Sequence, residues 1–244
     1  PLRQRVWRGG AGDFTSPGTG ASLDFHDHWA YAPGDDPRHI NWQAYARTGQ
    51  YSMKLFRGEV RPLIDIVFDV SPSMFLTAGK AARALELFYF AVEGALRAGS
   101  TPVVTAVAAG WHRALAVESV LGCRWPEQLP SGPAQAAAAP EFARAPLRAE
   151  ALRIIVSDLL FSGEPESYTA LFSARQGRCV VFAPFCQEES DPGWDGDMEF
   201  MDAESLALHS RRVEPGLLRR YRDAYARHFE LWKAAALRHG VVMA

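Results

Sequence analysis

The sequence predicts an α/β fold: a doubly wound, mostly parallel sheet of the dinucleotide-fold type, preceded by an irregular N-terminal arm. Three observations carry this expectation. Residues 63–69 and 152–156 are nearly continuous apolar runs, the character of strands covered on both faces. Such runs alternate with helical segments along the chain, which is the pattern of a parallel sheet with helical crossovers. Residues 1–60 lack that periodicity and are rich in Gly, Pro, Asp, His and aromatic side chains.

Taken in order, Gly9, Gly10, Gly12, Gly18 and Gly20 punctuate an opening loop. Pro33-Gly34-Asp35-Asp36-Pro37 is a turn. Residues 41–47 read as a short helix, and 51–56 alternate as a strand. The texture changes at Leu63, where the first sheet strand begins. Residues 78–98 are a long helix stopped at Gly99. Residues 103–108 and 112–117 are two strands of a hairpin about Ala109-Gly110. Residues 122–149, with many Pro and Ala, are a loop with a modest helix. A strand at 152–156 runs into Ser157-Asp158. A helix at 165–175, a strand at 178–184 and a short strand at 198–201 follow. Residues 215–238 are a long helix opened by Pro215 and closed by Gly240. Residues 241–243 begin a last strand that is interrupted at Ala244. The expected division is therefore an arm over 1–60, packed on an α/β domain over 61–244.

Composition narrows the function. With 28 acidic and 26 basic side chains in 244 residues the net charge is -2. That balance excludes a general nucleic-acid binder, which needs a basic excess for phosphates. No apolar run is long enough to span a bilayer, and no secretory signal is present. Cys123, Cys179 and Cys186 have no metal-type spacing and cannot all pair, which fits a reducing, cytoplasmic setting. The chain starts at Pro1 with Arg3, Arg5 and Arg8 close by. Those residues suit a solvated arm, or the cytoplasmic side of an upstream membrane anchor.

The chemistry-bearing motif follows the first sheet strand. Asp69-Val70-Ser71-Pro72-Ser73 places one carboxylate and two hydroxyls at alternating positions, so all three can converge. Hard oxygens in that arrangement suit Mg²⁺ or a similar divalent cation. Asp158, at the end of a later strand, reaches the same crevice if the two strands are neighbours. This pattern resembles the metal-ion-dependent adhesion site of von Willebrand factor A-like domains. The resemblance implies that Asp69, Ser71 and Ser73 form the first loop of such a site and Asp158 its later acidic residue. The family also uses a Thr from an intervening loop. No Thr occurs between Thr105 and Thr169, and Ser131 is the available substitute.

The arm makes the resemblance more specific. Tyr31, Pro33, Gly34, Asp35, Asp36, Arg38, Ile40, Asn41 and Trp42 are followed by Ala46-Arg47, Lys54 and Glu59. This ordered series, with Gly12-Asp13-Phe14 before it and Asp202-Ala203-Glu204 near the end, is similar to the domain-of-unknown-function 58 family. The chain departs from that family at Trp29-Ala30, where an Arg usually precedes the Tyr, and in the interrupted last strand. Physically, Asp35, Asp36, Arg38 and Arg47 suit a buried ion-pair network, with Tyr31 and Trp42 as its apolar anchor.

Other chemistry is weak. Thr77-Ala78-Gly79-Lys80 lacks the first Gly and final hydroxyl of a phosphate loop. No Gly-x-Ser-x-Gly elbow is present. Haloacid dehalogenase-like hydrolases want an Asp where Ser71 stands. His26 and His28 read as exposed loop residues, and His209, His228 and His239 as surface residues. Lys80, Arg83, Glu86 and Glu93 read as the solvated face of the long helix, and Phe88-Tyr89-Phe90 as core packing. With no base, nucleophile and orienting partner in one place, catalysis is not expected. The resemblance implies a protein-interaction domain that works with a MoxR-type AAA+ ATPase in assembling or activating client proteins. The ion would bind a partner's acidic side chain. Two alternatives remain: a Mg²⁺-dependent hydrolase or phosphatase using Asp69 and Asp158, and a metal-free scaffold of the same fold.

Overall fold

A computed structural model describes residues 10–19, 25–30, 40–130, 139–203 and 207–244 of the protein. Its contacts separate two units, Pro1–Pro62 with Ala98–Ser100, and Leu63–Arg97 with Thr101–Ala244.

In the smaller unit β1 (Gly10–Thr19), β2 (Phe25–Ala30) and β3 (Ser52–Arg61) form an antiparallel sheet in the order β1-β3-β2. The expected opening loop is thus a strand, and His26 and His28 lie on a strand rather than a loop. Local propensity is weak here, and the β3 ladder decides the outcome by pairing the backbone groups. Pro17, which has no N–H to give a ladder, falls within the register shift between Ser16 and Thr19. Helix α1 (Trp42–Thr48) is capped by Asn41, whose Oδ1 accepts the Ala44 N–H at 3.2 Å. Gly49, at φ +69°, ends it in the left-handed region.

The expected network about Arg47 is not buried. Arg47 is exposed and its Nε donates to the Gln43 carbonyl of its own helix. Trp42 is 59% exposed rather than an anchor, with edge contacts to Tyr45 and Tyr51. A helix of seven residues buries none of its side chains, so neither group is enclosed. Glu59 pairs by register with Thr15. Tyr31, Pro33, Gly34, Asp35, Asp36 and Arg38 lie outside the described residues.

The larger unit contains β4 (Ile64–Asp69), α2 (Ala78–Arg97), β5 (Val103–Ala108), β6 (Trp111–Leu115), α3 (Val117–Leu121), β7 (Leu152–Val156) and α4 (Pro165–Ser173). These are followed by β8 (Arg178–Phe182), α5 (Gln187–Ser190), β9 (Gly196–Met201), β10 (Leu208–Val213), α6 (Pro215–His239) and β11 (Val242–Met243). Six strands form the sheet β11-β8-β7-β4-β5-β6, parallel except for the edge strand β6. This is the doubly wound, mostly parallel sheet that the sequence predicts.

Alternation along β4 feeds two cores. Ile66 and Phe68 face one, where Phe68 stacks on Phe88 of α2 at 4.3 Å and meets Trp125 edge-on. Val67 faces the other, with Ile155, Phe172 and Trp232. Of the aromatic run on α2, Phe88 is in the core and Phe90 is exposed. The chain leaves β4 toward β5 on one side, and β7 fills the other side, so the sheet's switch point lies between β4 and β7. Outside this sheet, β9 and β10 form a two-stranded ribbon. Strand β10 is not expected from the sequence because five of its six residues are exposed and carry no apolar alternation. No helix among the described residues is long and apolar enough to cross a membrane.

The amino end of the sheet is closed by charge. Asp65, 1% exposed, accepts the Arg148 N–H and its Nε at 2.7 and 2.6 Å. Arg153 on β7 is fully buried and donates to the carbonyls of Leu171 and Phe172, the C-terminal turn of α4, and of Arg148. A Cβ at Gly177 would stand 2.5 Å from the Arg153 guanidinium carbon. Gly177→Ala should therefore destabilise the fold by about 1–3 kcal/mol through overpacking. Gly94, inside α2 with open space around it, gives the contrast: Gly94→Ala should stabilise by about 0.5–1 kcal/mol. Urea unfolding midpoints of the two variants check both signs.

Candidate functional site

Strands β4 and β7 are in register from Ile64↔Leu152 to Phe68↔Val156, so their carboxyl ends finish together. This brings Asp69 and the Ser157-Asp158 pair to the switch point. After β4 the chain turns through Ser71 into a 3-10 turn, Pro72–Phe75, with Pro favouring its first position. Asp69 is fully buried, and Ser71, Ser73 and Asp158 are buried beside it. The sequence-predicted Asp69, Ser71, Ser73 and Asp158 are thus brought to one place. Ser131 lies outside the described residues.

Both oxygens of Asp69 are engaged. Oδ1 accepts the Ser71 backbone N–H at 3.0 Å and the Ser71 hydroxyl at 2.6 Å. Oδ2 accepts the Ser157 hydroxyl at 2.6 Å. Burial and the nearby charge of Asp158 push the Asp69 carboxyl up from 3.8 to about 7, against the hydroxyl bonds, which pull it down. Ser157 is a site residue that motif spacing alone misses. The register supplies it, because Phe68↔Val156 sets the following residues of the two strands side by side.

Asp158 is fixed on three sides. Its N–H donates to the Met74 thioether at 3.1 Å, and its Oδ1 accepts the Leu160 N–H at 3.0 Å. Its Oδ2 accepts the Lys80 ammonium at 2.8 Å. Lys80 also donates to Oε1 of Glu189 on α5 at 2.5 Å. The expectation that Lys80 belongs to the solvated face of α2 is overturned: it is 1% exposed. The reason is helical spacing. Lys80, Ala84, Phe88, Ala91 and Ala95 share one buried stripe of α2, and Lys80 occupies its first turn. Burial alone would lower the Lys80 pKa, but Asp158 and Glu189 more than offset it and leave it raised. Arg83, Glu86 and Glu93 are on the exposed face, as expected, with Arg83–Glu86 and Arg97–Glu93 pairs.

The turn after Asp158 is held from α6. Leu159 is buried at φ +59°, a left-handed conformation that costs a non-glycine residue about 1–2 kcal/mol. Its N–H donates to the Ser157 hydroxyl at 3.2 Å, and its carbonyl accepts from His228 Nε2 at 2.7 Å. His228, expected at the surface, is half-buried for this reason. Tyr221, on the same helix, donates its hydroxyl to the Glu189 carbonyl at 2.7 Å. A groove of about 400 Å³ lined by Phe185, Tyr225, Phe229 and Met243 runs beside α5 and β11 and is separate from the buried acid cluster.

The donor set can be tested against a divalent ion. Asp69, Ser71 and Ser73 offer hard oxygens. Asp158, however, is bound by an ammonium, and the Asp69 oxygens are taken by hydroxyl donors. Among the described residues no three His, Cys, Asp or Glu side chains converge as ligands. The described residues therefore do not form a fitting ion site.

No family model and no curated protein matches the chain. Solved structures similar to it include two Bacteroides proteins. One is an aerotolerance-related membrane protein from Bacteroides fragilis, 13% identical, with 73% of this chain and 98% of that one covered at a TM-score of 0.38. The other is the conserved hypothetical protein BatB from Bacteroides thetaiotaomicron, 11% identical, with 75% and 90% covered at a TM-score of 0.37.

The raised Asp69 carboxyl has a consequence for stability. Between its ordinary 3.8 and about 7 the folded chain holds a proton that the unfolded chain has lost. Unfolding free energy on this account falls as pH rises through that window, and stays low above it. Asp69→Asn cannot ionise. In EDTA it should exceed the wild type in stability by about 1–3 kcal/mol at pH 8, with the difference fading toward pH 4. Thermal melts across that range check it.

Proposed function

We propose that this chain is a non-catalytic protein-interaction domain. Its cleft at the carboxyl ends of β4 and β7 receives an acidic side chain of a client protein. It works with a MoxR-type AAA+ ATPase, in the cytoplasm, in chaperone-like assembly or activation of that client. The observation that carries the reading is the arrangement at the switch point, where ligands of open α/β sheets sit. Two buried carboxylates, three serines and one ammonium are held there by the sheet, by α2 and by α5. The Asp-x-Ser-x-Ser-Met turn and the ordered arm motif support the partner assignment.

The chain's residues divide the work. The Ser71 and Ser157 hydroxyls hold the Asp69 carboxylate in a fixed orientation. The Met74 thioether, which accepts the Asp158 N–H, and the Leu160 N–H, which donates to Oδ1, hold Asp158. Lys80 supplies the positive charge that an incoming carboxylate needs. Apolar side chains stand near the site: Phe75 and Leu76 follow the serine turn, Phe185 precedes α5, and all three are exposed. A partner therefore finds exposed apolar side chains close in sequence to the charged groups, and these can supply the apolar contact area of an interface. A hydrolase needs a nucleophile with its base in hydrogen-bond reach. Asp69 is instead enclosed by hydroxyl donors and Asp158 is paired with an ammonium, which favours binding over turnover.

A pull-down of purified AAA+ ATPase by the immobilised chain tests this reading. Retention should be seen with wild type and be at least about tenfold weaker with Asp69→Ala, while circular dichroism shows an intact fold. Parallel runs with Mg²⁺ and with EDTA ask whether a divalent cofactor contributes. Equal retention by wild type and Asp69→Ala would remove the cleft from the interaction. Turnover of a generic phosphoester, lost in Asp69→Asn, would replace the reading with the metal-dependent hydrolase.

A further inference from the structure

The cleft already contains a cation. Lys80 is 1% exposed and lies in the first turn of a 20-residue helix. A positive charge is unfavourable there, both because it is desolvated and because the helix dipole opposes it. It is tolerated because two carboxylates reach it, Asp158 from the end of β7 and Glu189 from α5. An ammonium has three N–H donors. Among the described residues two are used, by Asp158 Oδ2 and Glu189 Oε1.

The two carboxylates are not equivalent. Asp158 is 2% exposed, and its backbone and side chain are both tied down. Glu189 is 14% exposed and sits on a helix of only four residues. Its second oxygen caps the N–H of Cys186. Beyond that, α5 is tied to α6 by the Tyr221 hydroxyl and by an exposed Arg222–Asp191 pair, and exposed pairs contribute little. Of the two groups on Lys80, Glu189 is the one that solvent and a partner can reach.

From this we infer that Lys80 is itself the cation that receives the partner's carboxylate, in place of a divalent metal. Glu189 holds that position until the partner arrives. The inference rests on the proposed function only in taking the ligand to be an acidic side chain. Exchange follows from charge. Adding a third carboxylate to Asp158 and Glu189 around one ammonium is repulsive, whereas replacing Glu189 leaves the charge of the cleft unchanged. A divalent ion on Asp158 would instead compete with an ammonium already 2.8 Å from the same oxygen. The exchange releases α5 from Lys80 and leaves the Tyr221 bond to the Glu189 carbonyl as its tether.

The experiment uses the full chain and two probes, the metal alone and N-acetyl-glutamate amide. Calorimetry of the wild type with Mg²⁺ or Mn²⁺ at millimolar concentration should give no saturable heat. The glutamate probe, followed by NMR of the Lys80 ε-ammonium, should bind Glu189→Gln roughly tenfold more tightly than the wild type, equally in EDTA and in Mg²⁺. Gln at this position can still accept from the Cys186 N–H, so the cap is kept while the negative charge that Glu189 presents to Lys80 is removed. Lys80→Met, with the probe followed by calorimetry because the ammonium signal is gone, should abolish probe binding. Because that change strands two acids, the double variant Lys80→Met with Asp158→Asn serves as the second form. Saturable metal binding by the wild type, probe binding that requires metal, or unchanged probe binding in Glu189→Gln would each overturn the inference. Failure of the ATPase to be retained, with probe binding as described, would remove the proposed partner and leave the role of Lys80 standing.

Discussion

The ammonium of Lys80 is taken almost wholly out of water, and the rest of the cleft is arranged around that fact. Its pair with Asp158 joins positions 78 residues apart, so it fixes the first turn of α2 against the end of β7. For Lys80 to point inward, the stripe carrying Ala84, Phe88 and Ala91 must also face the sheet. For Asp158 to reach it, β7 must lie beside β4 in its observed register. Breaking such a pair by removing one member costs about 3–5 kcal/mol, because the other charge stays behind. A buried pair is weak evidence for net stability, since an apolar pair of similar size often serves as well. It is better understood as a device that specifies position, and the position it specifies is the switch point of the sheet.

The opposite end of the sheet uses buried charge differently, and the comparison explains why only one end reads as a site. There Asp65 and Arg148 satisfy each other, while the Arg153 guanidinium caps the last carbonyls of α4. Those groups tie off the ends of elements, which leaves strand and helix termini satisfied without solvent. At the carboxyl end, two carboxylates, Asp158 and Glu189, share one ammonium, and Asp69 is balanced by hydroxyls and a backbone N–H alone. A carboxyl pushed up to about 7 by burial and by a like charge is strained relative to one in water. Charge held at such cost, where ligands approach, is the pattern of a functional site rather than of a structural one.

The sheet and part of the cleft were legible in the sequence for a physical reason. Strands buried on both faces must be apolar throughout, so β4 and β7 are marked by composition, and the residues that end such runs become candidates at once. Asp69, Ser71, Ser73 and Asp158 are found that way. Lys80 was not, because a lysine near a helix start is normally solvated. The small alanines that share its stripe carry too little hydrophobic signal to show which face is inward. Glu189 was hidden because α5 is too short to have a period. Strand β10 was hidden because a ribbon open to solvent needs no apolar alternation; its strand character comes from pairing with β9. The glycine-rich start of the chain became β1 for the same reason, through pairing with β3. What the sequence lacked in each case was a neighbour, not a propensity.

Helix α6 draws these elements together. Tyr221, Tyr225, His228 and Trp232 fall at helical spacing, so they share one face. Tyr221 holds the carbonyl of Glu189, on one side of Lys80, and His228 holds the carbonyl of Leu159, which follows Asp158 on the other side. Both acids that pair with Lys80 are thus adjacent to a backbone carbonyl fixed by the same helix. The Leu159 bond has the harder task. A buried leucine in the left-handed region persists only if its surroundings determine it, and here Ser157 holds its N–H while His228 holds its carbonyl. Glycine would remove that strain, but it would also remove a side chain that is fully buried in the second core. The residue is therefore kept for packing and the conformation for the cleft, with His228 reconciling the two. The two segments that flank Lys80 are therefore tied to one helix, α5 through Tyr221 and the Asp158 turn through His228.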